Sequence, residues 1–372
     1  MAIRNSKKIR IGNIFIGGGE KIAVQSMLNK PASDIEGSVR QAIELEKAGC
    51  EIIRAAVPDM AAVKLIEKLK ENLSVPVVAD IHFDYRLALA SIDAGVDKIR
   101  INPGNIGSFD RVKAVADACA NKGVPIRIGV NAGSLDKEIL AEYGSPCAEA
   151  LVKSALTHVE LLERCDFGNT VISIKSSTVP TMVEAYELMA QKCDYPLHLG
   201  VTEAGTHNMA LIKSSIGIGS LLLKGIGDTI RVSMTDDPVR EVKAANDILQ
   251  SIGLKTDCPD IVACPTCGRT KIDLISLANE VEERLAGCKK NIKVAGMGCA
   301  VNGPGEAREA DIGVAGGKGE GLIFKKGEIL SSARFTSFKL LAENNPVSLI
   351  SDVECEIVGD SLLSCFIPYI IL

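Results

Sequence analysis

The stretch from residue 22 to residue 57 reads IAVQSMLNKPASDIEGSVRQAIELEKAGCEIIRAAV, and its pattern decides the fold. A short apolar run, residues 22–27, precedes an amphipathic segment typical of a helix, residues 34–48, and a second short apolar run, residues 51–57. Strand, helix and strand in this order predict two parallel strands joined by a crossover helix.

The same unit recurs along the chain up to a last helix-like segment at residues 237–250. The predicted strands are residues 22–27, 51–57, 75–81, 96–101, 125–130, 170–175, 197–201 and 229–233. Eight such units predict an α/β fold with an N-terminal TIM-type (β/α)8 barrel at residues 1–253, and they do not favour an open doubly wound sheet. No Gly-x-Gly-x-x-Gly motif follows the first strand, so a dinucleotide-binding fold has little support.

A short polar stretch with Gly253 and Pro259, residues 251–259, predicts an interdomain linker. Beyond it we expect a smaller C-terminal α+β domain at residues 260–330 and a tail of atypical sequence at residues 331–372. The chain of 372 residues has room for a barrel of about 250 residues and one further domain.

Composition excludes several classes of function. The formal net charge is −5, aromatic residues make up 3% and Trp is absent, so neither nucleic acid nor a membrane surface is an expected partner. The chain begins without a secretory signal pattern, and the apolar run at residues 361–372 is shorter than the about 20 residues that span a bilayer. Twelve cysteines in such a chain indicate reduced thiols and a cytoplasmic protein.

Charged residues lie at the ends of the predicted strands, where barrel enzymes place their chemistry. The cations among them are Arg54, Arg100, Arg127, Lys175 and Arg231. If these side chains face inward they meet at one mouth of the barrel and repel one another, so a phosphate or diphosphate ligand is expected there. The alternative is that single members pair with carboxylates such as Asp80 and Glu203.

Residues two apart on a strand share a face of the sheet, which predicts four pairs with a common direction. They are Asp80 with His82, Arg100 with Asn102, Arg127 with Asn131, and Arg231 with Ser233. Taken alone, His82 is either an acid or base or a structural residue. Glu203, in the segment Gly-Val-Thr-Glu-Ala-Gly at residues 200–205, is either a general acid or hydrogen-bond acceptor or the salt-bridge partner of an arginine.

Two cysteine motifs mark the second domain. Cys264 and Cys267 form a Cys-x-x-Cys pair, a helix-like segment follows at residues 271–286, and Cys299 lies among glycines. A structural zinc site would take Cys258 or Cys288 as its fourth ligand. A thioredoxin-type dithiol would need a βαβ opening that is missing here. An iron-sulfur cluster would use three thiolates and leave one iron with an exchangeable oxygen ligand.

The motifs together resemble the family of 4-hydroxy-3-methylbut-2-enyl diphosphate synthase, in its bacterial two-domain form. The resemblance runs from about Arg10 to Gly327. It rests on Ala-Val-Gln-Ser-Met at residues 23–27, Ile-Arg-Ile-Asn-Pro-Gly-Asn at 99–105, Arg-Ile-Gly-Val-Asn at 127–131, the segment at 200–205 and both cysteine motifs.

This resemblance implies a four-iron four-sulfur (4Fe-4S) cluster held by Cys264, Cys267, Cys299 and Glu306. The implied reaction converts 2-C-methyl-D-erythritol 2,4-cyclodiphosphate to 4-hydroxy-3-methylbut-2-enyl diphosphate with two electrons from reduced flavodoxin or ferredoxin. Glu306 would yield its iron to the substrate and Glu203 would deliver a proton. The five cations and Ser233 would hold the diphosphate, and Asp80, His82, Asn102 and Asn131 would lie nearer the carbon skeleton.

The family also implies a homodimer in which the cluster domain of one subunit caps the barrel of the other. From about Ser331 we expect the resemblance to end, and we expect this tail to weaken the second domain. Two other functions remain open. One is a barrel that binds a pterin or another phosphorylated heterocycle and carries a structural zinc module, and the other is an iron-sulfur carrier or redox sensor without a use for basic residues in the barrel.

Overall fold

A computed structural model describes residues 3–285, 287–299, 305, 307–317 and 320–334 of the chain. The chain divides into two compact units between Leu254 and Lys255. No helix of the described residues is long and apolar enough to cross a membrane.

The first unit opens with a two-stranded antiparallel hairpin of β1 (Ile9–Ile11) and β2 (Ile14–Ile16). Its isoleucines pack with Ala23, Ile52 and Val78 of the barrel strands in one buried apolar cluster. This cluster places apolar side chains at the amino end of the barrel.

Eight parallel strands form the barrel, and the prediction of a TIM-type fold is confirmed. They are β3 (Ala23–Met27), β4 (Ile52–Ala56), β5 (Val77–Asp80), β6 (Lys98–Ile101), β7 (Ile126–Asn131), β8 (Thr170–Lys175), β9 (His198–Leu199) and β10 (Thr229–Ile230). The sheet runs β8-β7-β6-β5-β4-β3-β10-β9, and a parallel bridge from Ile172 to Leu197 joins its two ends. The barrel is therefore closed.

The helices surround this barrel. They are α1 (Ile35–Lys47), α2 (Val63–Asn72), α3 (Tyr85–Asp93), α4 (Pro103–Ile106), α5 (Phe109–Lys122), α6 (Lys137–Tyr143), α7 (Ala148–Glu163), α8 (Val179–Lys192), α9 (His207–Leu223) and α10 (Pro238–Ser251). Caps fix where they begin: the Asp34 side chain accepts from the N–H of Gly37, and Asp237 accepts from Val239 just before α10. The predicted helices at 34–48 and 237–250 match α1 and α10 closely.

Two predicted strands are shorter than the sequence indicated, because β9 and β10 each have two residues and not five. The chain leaves the regular ladder at Gly200 and Arg231, although the Arg231 N–H still donates to the carbonyl of Leu199 at 3.0 Å. A Cβ atom at Gly200 would lie 2.6 Å from the carbonyl oxygen of Arg231, so the two chains approach more closely than a regular strand pair with side chains allows.

In the part of the second unit that the structure describes, a mixed five-stranded sheet packs with one helix, as the α+β prediction required. Its elements are β11 (Asp260–Ala263), α11 (Leu274–Leu285), β12 (Lys293–Met297), β13 (Ile312–Gly316), β14 (Glu320–Lys325) and β15 (Glu328–Arg334). Strands β11, β12 and β13 are parallel, and β14 and β15 extend the sheet antiparallel. Apolar residues of α11, among them Leu277 and Val281, pack with Val294 and Val314 of the sheet.

The tail predicted at 331–372 begins too early, because residues 331–334 belong to β15 and pair with β14. Lys326 and Gly327 form the turn between β14 and β15, so that β15 runs back antiparallel to β14. The expected end of the family resemblance near Ser331 did not indicate this pairing. The rest of the tail, residues 335–372, lies outside the described residues.

Candidate active site

Five cationic side chains gather at the carboxyl end of the barrel. They are Arg54 of β4, Arg100 of β6, Arg127 of β7, Lys175 of β8 and Arg231 just after β10, and we call them the cationic mouth. Arg127 is only 1% exposed. Burial and then Arg54 and Arg100 lower its pKa well below the ordinary arginine value, and burial and then Arg231 and Arg127 do the same to Lys175. The structure thus brings all five together.

Asp80, at the end of β5, is the carboxylate inside this mouth. It is 2% exposed, and its oxygens lie 3.2 Å from Nη1 of Arg100 and 3.5 Å from Nη2 of Arg54. Burial raises the pKa of the Asp80 carboxyl, but Arg54 and Arg100 outweigh it and lower the pKa to about 2. Asp80 is therefore ionised at neutral pH, and its single charge leaves most of the positive charge of the mouth without compensation.

The ionised form of Asp80 is expected to stabilise the fold by about 2 kcal/mol at neutral pH, since its pKa falls from 3.8 to about 2 on folding. Because the pKa of Asp80 is lower in the folded protein, this stabilisation is fully present above the unfolded-state pKa of 3.8. It is lost as the pH falls towards the folded-state pKa of about 2. Urea unfolding of wild type and Asp80→Asn between neutral and acid pH measures this. The difference in unfolding free energy should shrink below pH 3.8, and a difference independent of pH would contradict the assignment.

Two glycines make room for the cations. A Cβ atom at Gly129 would lie 2.6 Å from Nε of Arg100, and one at Gly200 would lie 2.8 Å from Nζ of Lys175. Real Cβ atoms do not approach so closely, so any larger residue at either position would displace a charged group. The glycines of these two strands therefore shape the cationic mouth.

Gly129→Ala is expected to weaken the binding of inorganic pyrophosphate about tenfold, or about 1.4 kcal/mol, because Arg100 must leave its position beside Asp80. Gly133→Ala is the matched control, since a Cβ atom there meets nothing within 4 Å. Calorimetric titration gives both affinities. Equal affinities in the two variants would show that the room beside Gly129 is not needed.

The other predicted polar residues surround the mouth. His82 is half exposed, with Nε2 4.0 Å from the Asp80 carboxylate, and Asn102 is buried with its side-chain oxygen accepting from the N–H of Gly104. Asn131 is partly buried at the end of β7, opposite Lys175 in the register, and Ser233 is partly buried beyond β10. His82 therefore points in the same direction as Asp80, as the two-residue period of a strand predicts.

Glu203 is exposed and holds an unusual backbone conformation, with φ at +50°. A residue other than glycine in this region carries strain, which is frequent at functional positions. Glu203 forms no ion pair with an arginine among the residues that the structure describes, so the salt-bridge interpretation gains no support.

Sequence reasoning missed Glu241, which enters the site from the first turn of α10. Its carboxylate accepts from the N–H of Met234 at 2.9 Å and lies 4.0 Å from Nη2 of Arg231. Burial raises its pKa, and Arg231 offsets part of this rise. The sequence feature that could have revealed Glu241 is its position on the apolar face of the helix, in line with Ala245 and Ile248, where a charged residue is unusual.

Sequence reasoning also missed a deeper polar layer of the barrel, formed by Gln25, Lys98, His198 and Thr229. All four are buried, and Lys98 donates to the side-chain oxygen of Gln25 at 3.2 Å. The strand period contained the signal, since Lys98 lies two residues before Arg100 and shares its face.

In the second unit the two cysteine motifs follow neighbouring parallel strands, because Ala263 of β11 pairs with Gly296 of β12. The N–H of Gly298 donates to the sulfur of Cys264 at 3.1 Å. Cys267 is exposed, and hydrogen bonds from the backbone and side chain of Arg269 lower its pKa. The hydrogen bonds at Cys267 favour its thiolate, the form in which cysteine binds metals.

Among the described residues, no three Cys, His, Asp or Glu side chains lie close enough to hold one metal ion. A zinc site with Cys258 or Cys288 is therefore not preassembled in that part of the chain. A cluster of four irons is less demanding, because each thiolate binds a different iron and the sulfurs stand further apart. The available cysteines fit such a group by their donor chemistry, whereas the predicted ligand Glu306 lies outside the described residues.

Family models match nearly the whole of the first unit and most of the second. Residues 6–246 match the GcpE TIM-barrel domain, and residues 260–343 match the GcpE protein C-terminal domain. The chain belongs to the GcpE family. The second GcpE match runs beyond Ser331, so the resemblance continues further than the sequence motifs indicated.

Curated relatives agree with this family. A protein of Clostridium perfringens is 59% identical over 331 residues, which are 89% of this chain and 95% of the relative. One of Clostridium acetobutylicum is 57% identical over 88% of this chain and 94% of its own length, and one of Caldanaerobacter subterraneus is 58% identical over 87% and 91%. All three are named 4-hydroxy-3-methylbut-2-en-1-yl diphosphate synthase (flavodoxin).

Solved structures resemble this GcpE chain only weakly. Dihydropteroate synthase from Stenotrophomonas maltophilia, with imidazole bound in its active site, aligns with 67% of this chain and 98% of its own. The sequence identity is 15% and the TM-score 0.49, which is too low to bear on function.

Proposed function

We infer that the chain reduces 2-C-methyl-D-erythritol 2,4-cyclodiphosphate to 4-hydroxy-3-methylbut-2-enyl diphosphate, a two-electron ring opening in isoprenoid precursor biosynthesis. The cationic mouth is the observation that carries this inference, because its five clustered cations outnumber the buried carboxylates beside them, Asp80 and Glu241, and so need a polyanion. The names of relatives up to 59% identical to this chain support the same reaction.

The residues of the barrel bind and orient the substrate in this proposal. The cationic mouth and Ser233 hold the phosphate oxygens, and the guanidinium groups offer paired N–H donors. Asn102, Asn131 and His82 lie around the mouth and take the hydroxyl groups of the carbon skeleton. Asp80 acts on Arg54 and Arg100, since both of its oxygens face them, and so it positions the arginines as well as facing the substrate.

Glu203 is the proposed proton donor. Support comes from its exposed carboxylate, its strained backbone and the lack of an arginine partner among the described residues. A carboxylic acid that is not held in an ion pair is free to give its proton to a leaving oxygen. His82, half exposed beside Asp80, is the second group with this capacity.

Cys264, Cys267, Cys299 and Glu306 are the proposed ligands of a four-iron four-sulfur cluster. When bound, the cluster supplies the electrons of the reduction and an iron that accepts an electron pair. The Gly298 N–H donates to the sulfur of Cys264, and hydrogen bonds from Arg269 lower the pKa of Cys267.

The proposed electron donor is reduced flavodoxin, which the names of the relatives mention, with ferredoxin as the alternative. A cytoplasmic location is proposed because the described cysteines are all free thiols, which a reducing compartment maintains.

A homodimer is the proposed assembly, and the outer face of α9 supports it. Met209, Ile212, Ile216 and Leu223 are exposed there at helical spacing, which makes an apolar stripe along the helix. A second copy of the chain would cover such a stripe.

Ile212→Glu combined with Ile216→Glu is expected to convert the dimer to a monomer, because charged groups in an apolar interface are left without partners. Light scattering after gel filtration measures the mass. Ile275→Glu is the control, since this isoleucine is equally exposed but lies on α11. A double variant with unchanged mass would refute the role of α9.

Metal analysis and turnover test the proposed function directly. Anaerobically purified protein should contain about four irons and four sulfides per chain, and it should convert the cyclodiphosphate when reduced flavodoxin is supplied. One zinc without sulfide would instead favour the barrel with a structural zinc module. A cluster without turnover and without anion binding would favour the carrier or sensor.

A further inference from the structure

Lys98 lies one layer below the cationic mouth, on β6, and is fully buried with 0% exposed. Its Nζ donates to the side-chain oxygen of Gln25 at 3.2 Å. It forms no ion pair with a carboxylate among the described residues. A buried lysine with one neutral amide partner has little to stabilise its charged form.

The surroundings of Lys98 are positive. After burial, Arg127 and Arg54 lower its pKa well below the ordinary value. His198 faces the same interior, where its Nδ1 contacts the Thr229 hydroxyl at 2.8 Å and its Nε2 has no partner among the described residues. Burial, then Arg127, Lys175, Lys98 and Arg54 lower the pKa of His198.

The charges of the site do not balance. Among the described residues, six basic groups lie in the mouth and the layer below it, against two buried carboxylates, Asp80 and Glu241. A cyclic diphosphate brings two negative charges, because each phosphoryl group keeps one ionised oxygen. The empty site therefore favours loss of a proton, and a bound diphosphate favours its return.

We propose that Lys98 is a proton acceptor linked to substrate binding: its amine is uncharged while the mouth is empty and takes up a proton when a diphosphate binds above it. The identity of the ligand rests on the proposed function, whereas the uncharged amine in the empty barrel does not. Affinity for the diphosphate then falls as the pH rises, because binding requires uptake of a proton and the proton concentration is lower at high pH.

Protein stability tests the empty state. If Lys98 is uncharged in the folded protein and charged in the unfolded chain, the unfolded state holds one more proton, and stability rises with pH. Relative to Lys98→Met, the unfolding equilibrium constant of the wild type should fall about tenfold per pH unit near neutrality. Urea unfolding followed by far-ultraviolet circular dichroism gives the ratio of the unfolding equilibrium constants of the wild type and Lys98→Met at each pH. A ratio independent of pH would overturn the proposal.

Calorimetry tests the bound state, with the full-length, cluster-loaded protein and the cyclodiphosphate but no reductant. Each phosphorus of this ligand carries one ester and one anhydride linkage and keeps a single, strongly acidic oxygen, so the ligand releases or takes up no proton near neutral pH. Titrations in Tris and in HEPES differ by the protons exchanged with the buffer. Uptake should be about one proton greater in the wild type than in Lys98→Met. Lys122→Met, at an exposed lysine of α5, should retain the full uptake.

The outcomes separate the two proposals. Equal uptake in the wild type and Lys98→Met would overturn the role of Lys98 and move the proton to Lys175 or His198. Absence of any binding heat would count against the proposed substrate, while the pH dependence of stability would still decide whether the empty-state amine is uncharged. Lys98→Met also removes an unpaired buried amine, so we expect it to fold.

Discussion

Replacing Cys299 by serine is expected to remove iron and sulfide from the protein and to lower turnover of the cyclodiphosphate about a thousandfold or more, which corresponds to about 4 kcal/mol of transition-state stabilisation. Cys299 follows β12, next to the loop of Cys264. A serine hydroxyl keeps its proton at neutral pH and cannot replace a thiolate as an iron ligand. The barrel contains no part of this motif, so its affinity for the diphosphate should be retained.

Cys288→Ser is the control for this experiment, because Cys288 is a ligand only in the zinc interpretation. Iron, acid-labile sulfide and zinc are measured after anaerobic purification, and turnover is measured with reduced flavodoxin. Full iron content and activity in Cys299→Ser would contradict the ligand assignment. Loss of bound metal from both variants, with zinc in the wild type, would support the zinc module.

Arg127→Met is expected to weaken binding of the cyclodiphosphate about a hundredfold, or about 3 kcal/mol, and at the same time to stabilise the empty barrel. Arg127 is almost fully buried, its Nε has no hydrogen-bond partner among the described residues, and the charges that lower its pKa most are those of Arg54 and Arg100. Methionine fills a similar volume without a charge. If the substitution weakens ligand binding but raises the stability of the empty barrel, Arg127 is present for binding and not for folding.

Arg86→Met is the matched control, since Arg86 is an exposed arginine paired with Asp84 beside the barrel. Its removal should change affinity and stability little, because solvent screens an exposed ion pair. Calorimetric titration and thermal unfolding without ligand give both quantities. A fall in the stability of Arg127→Met would show that this guanidinium supports the fold.

The sequence predicted the cationic mouth through two simple regularities. Parallel strands end at one edge of the barrel, and side chains two apart share a face, so Arg54, Arg100, Arg127 and Lys175 had to meet if they faced inward. The same period placed His82 beside Asp80. Glu241 escaped this reasoning because it comes from a helix, and the reach of a side chain from α10 to the strands depends on helix packing.

The amino-acid sequence by itself determined the barrel, the small α+β domain, the two cysteine motifs and the identity of the cations, since these follow from local periodicity and from residue types at fixed spacing. Only the tertiary structure decided that Asp80 is shared by Arg54 and Arg100, and that Gly129 leaves room for one of them. It alone showed that Lys98 is buried without a carboxylate. Such pairings depend on strand register and on packing between residues far apart in the chain, because electrostatic and steric energies act over distances in space that no local pattern specifies.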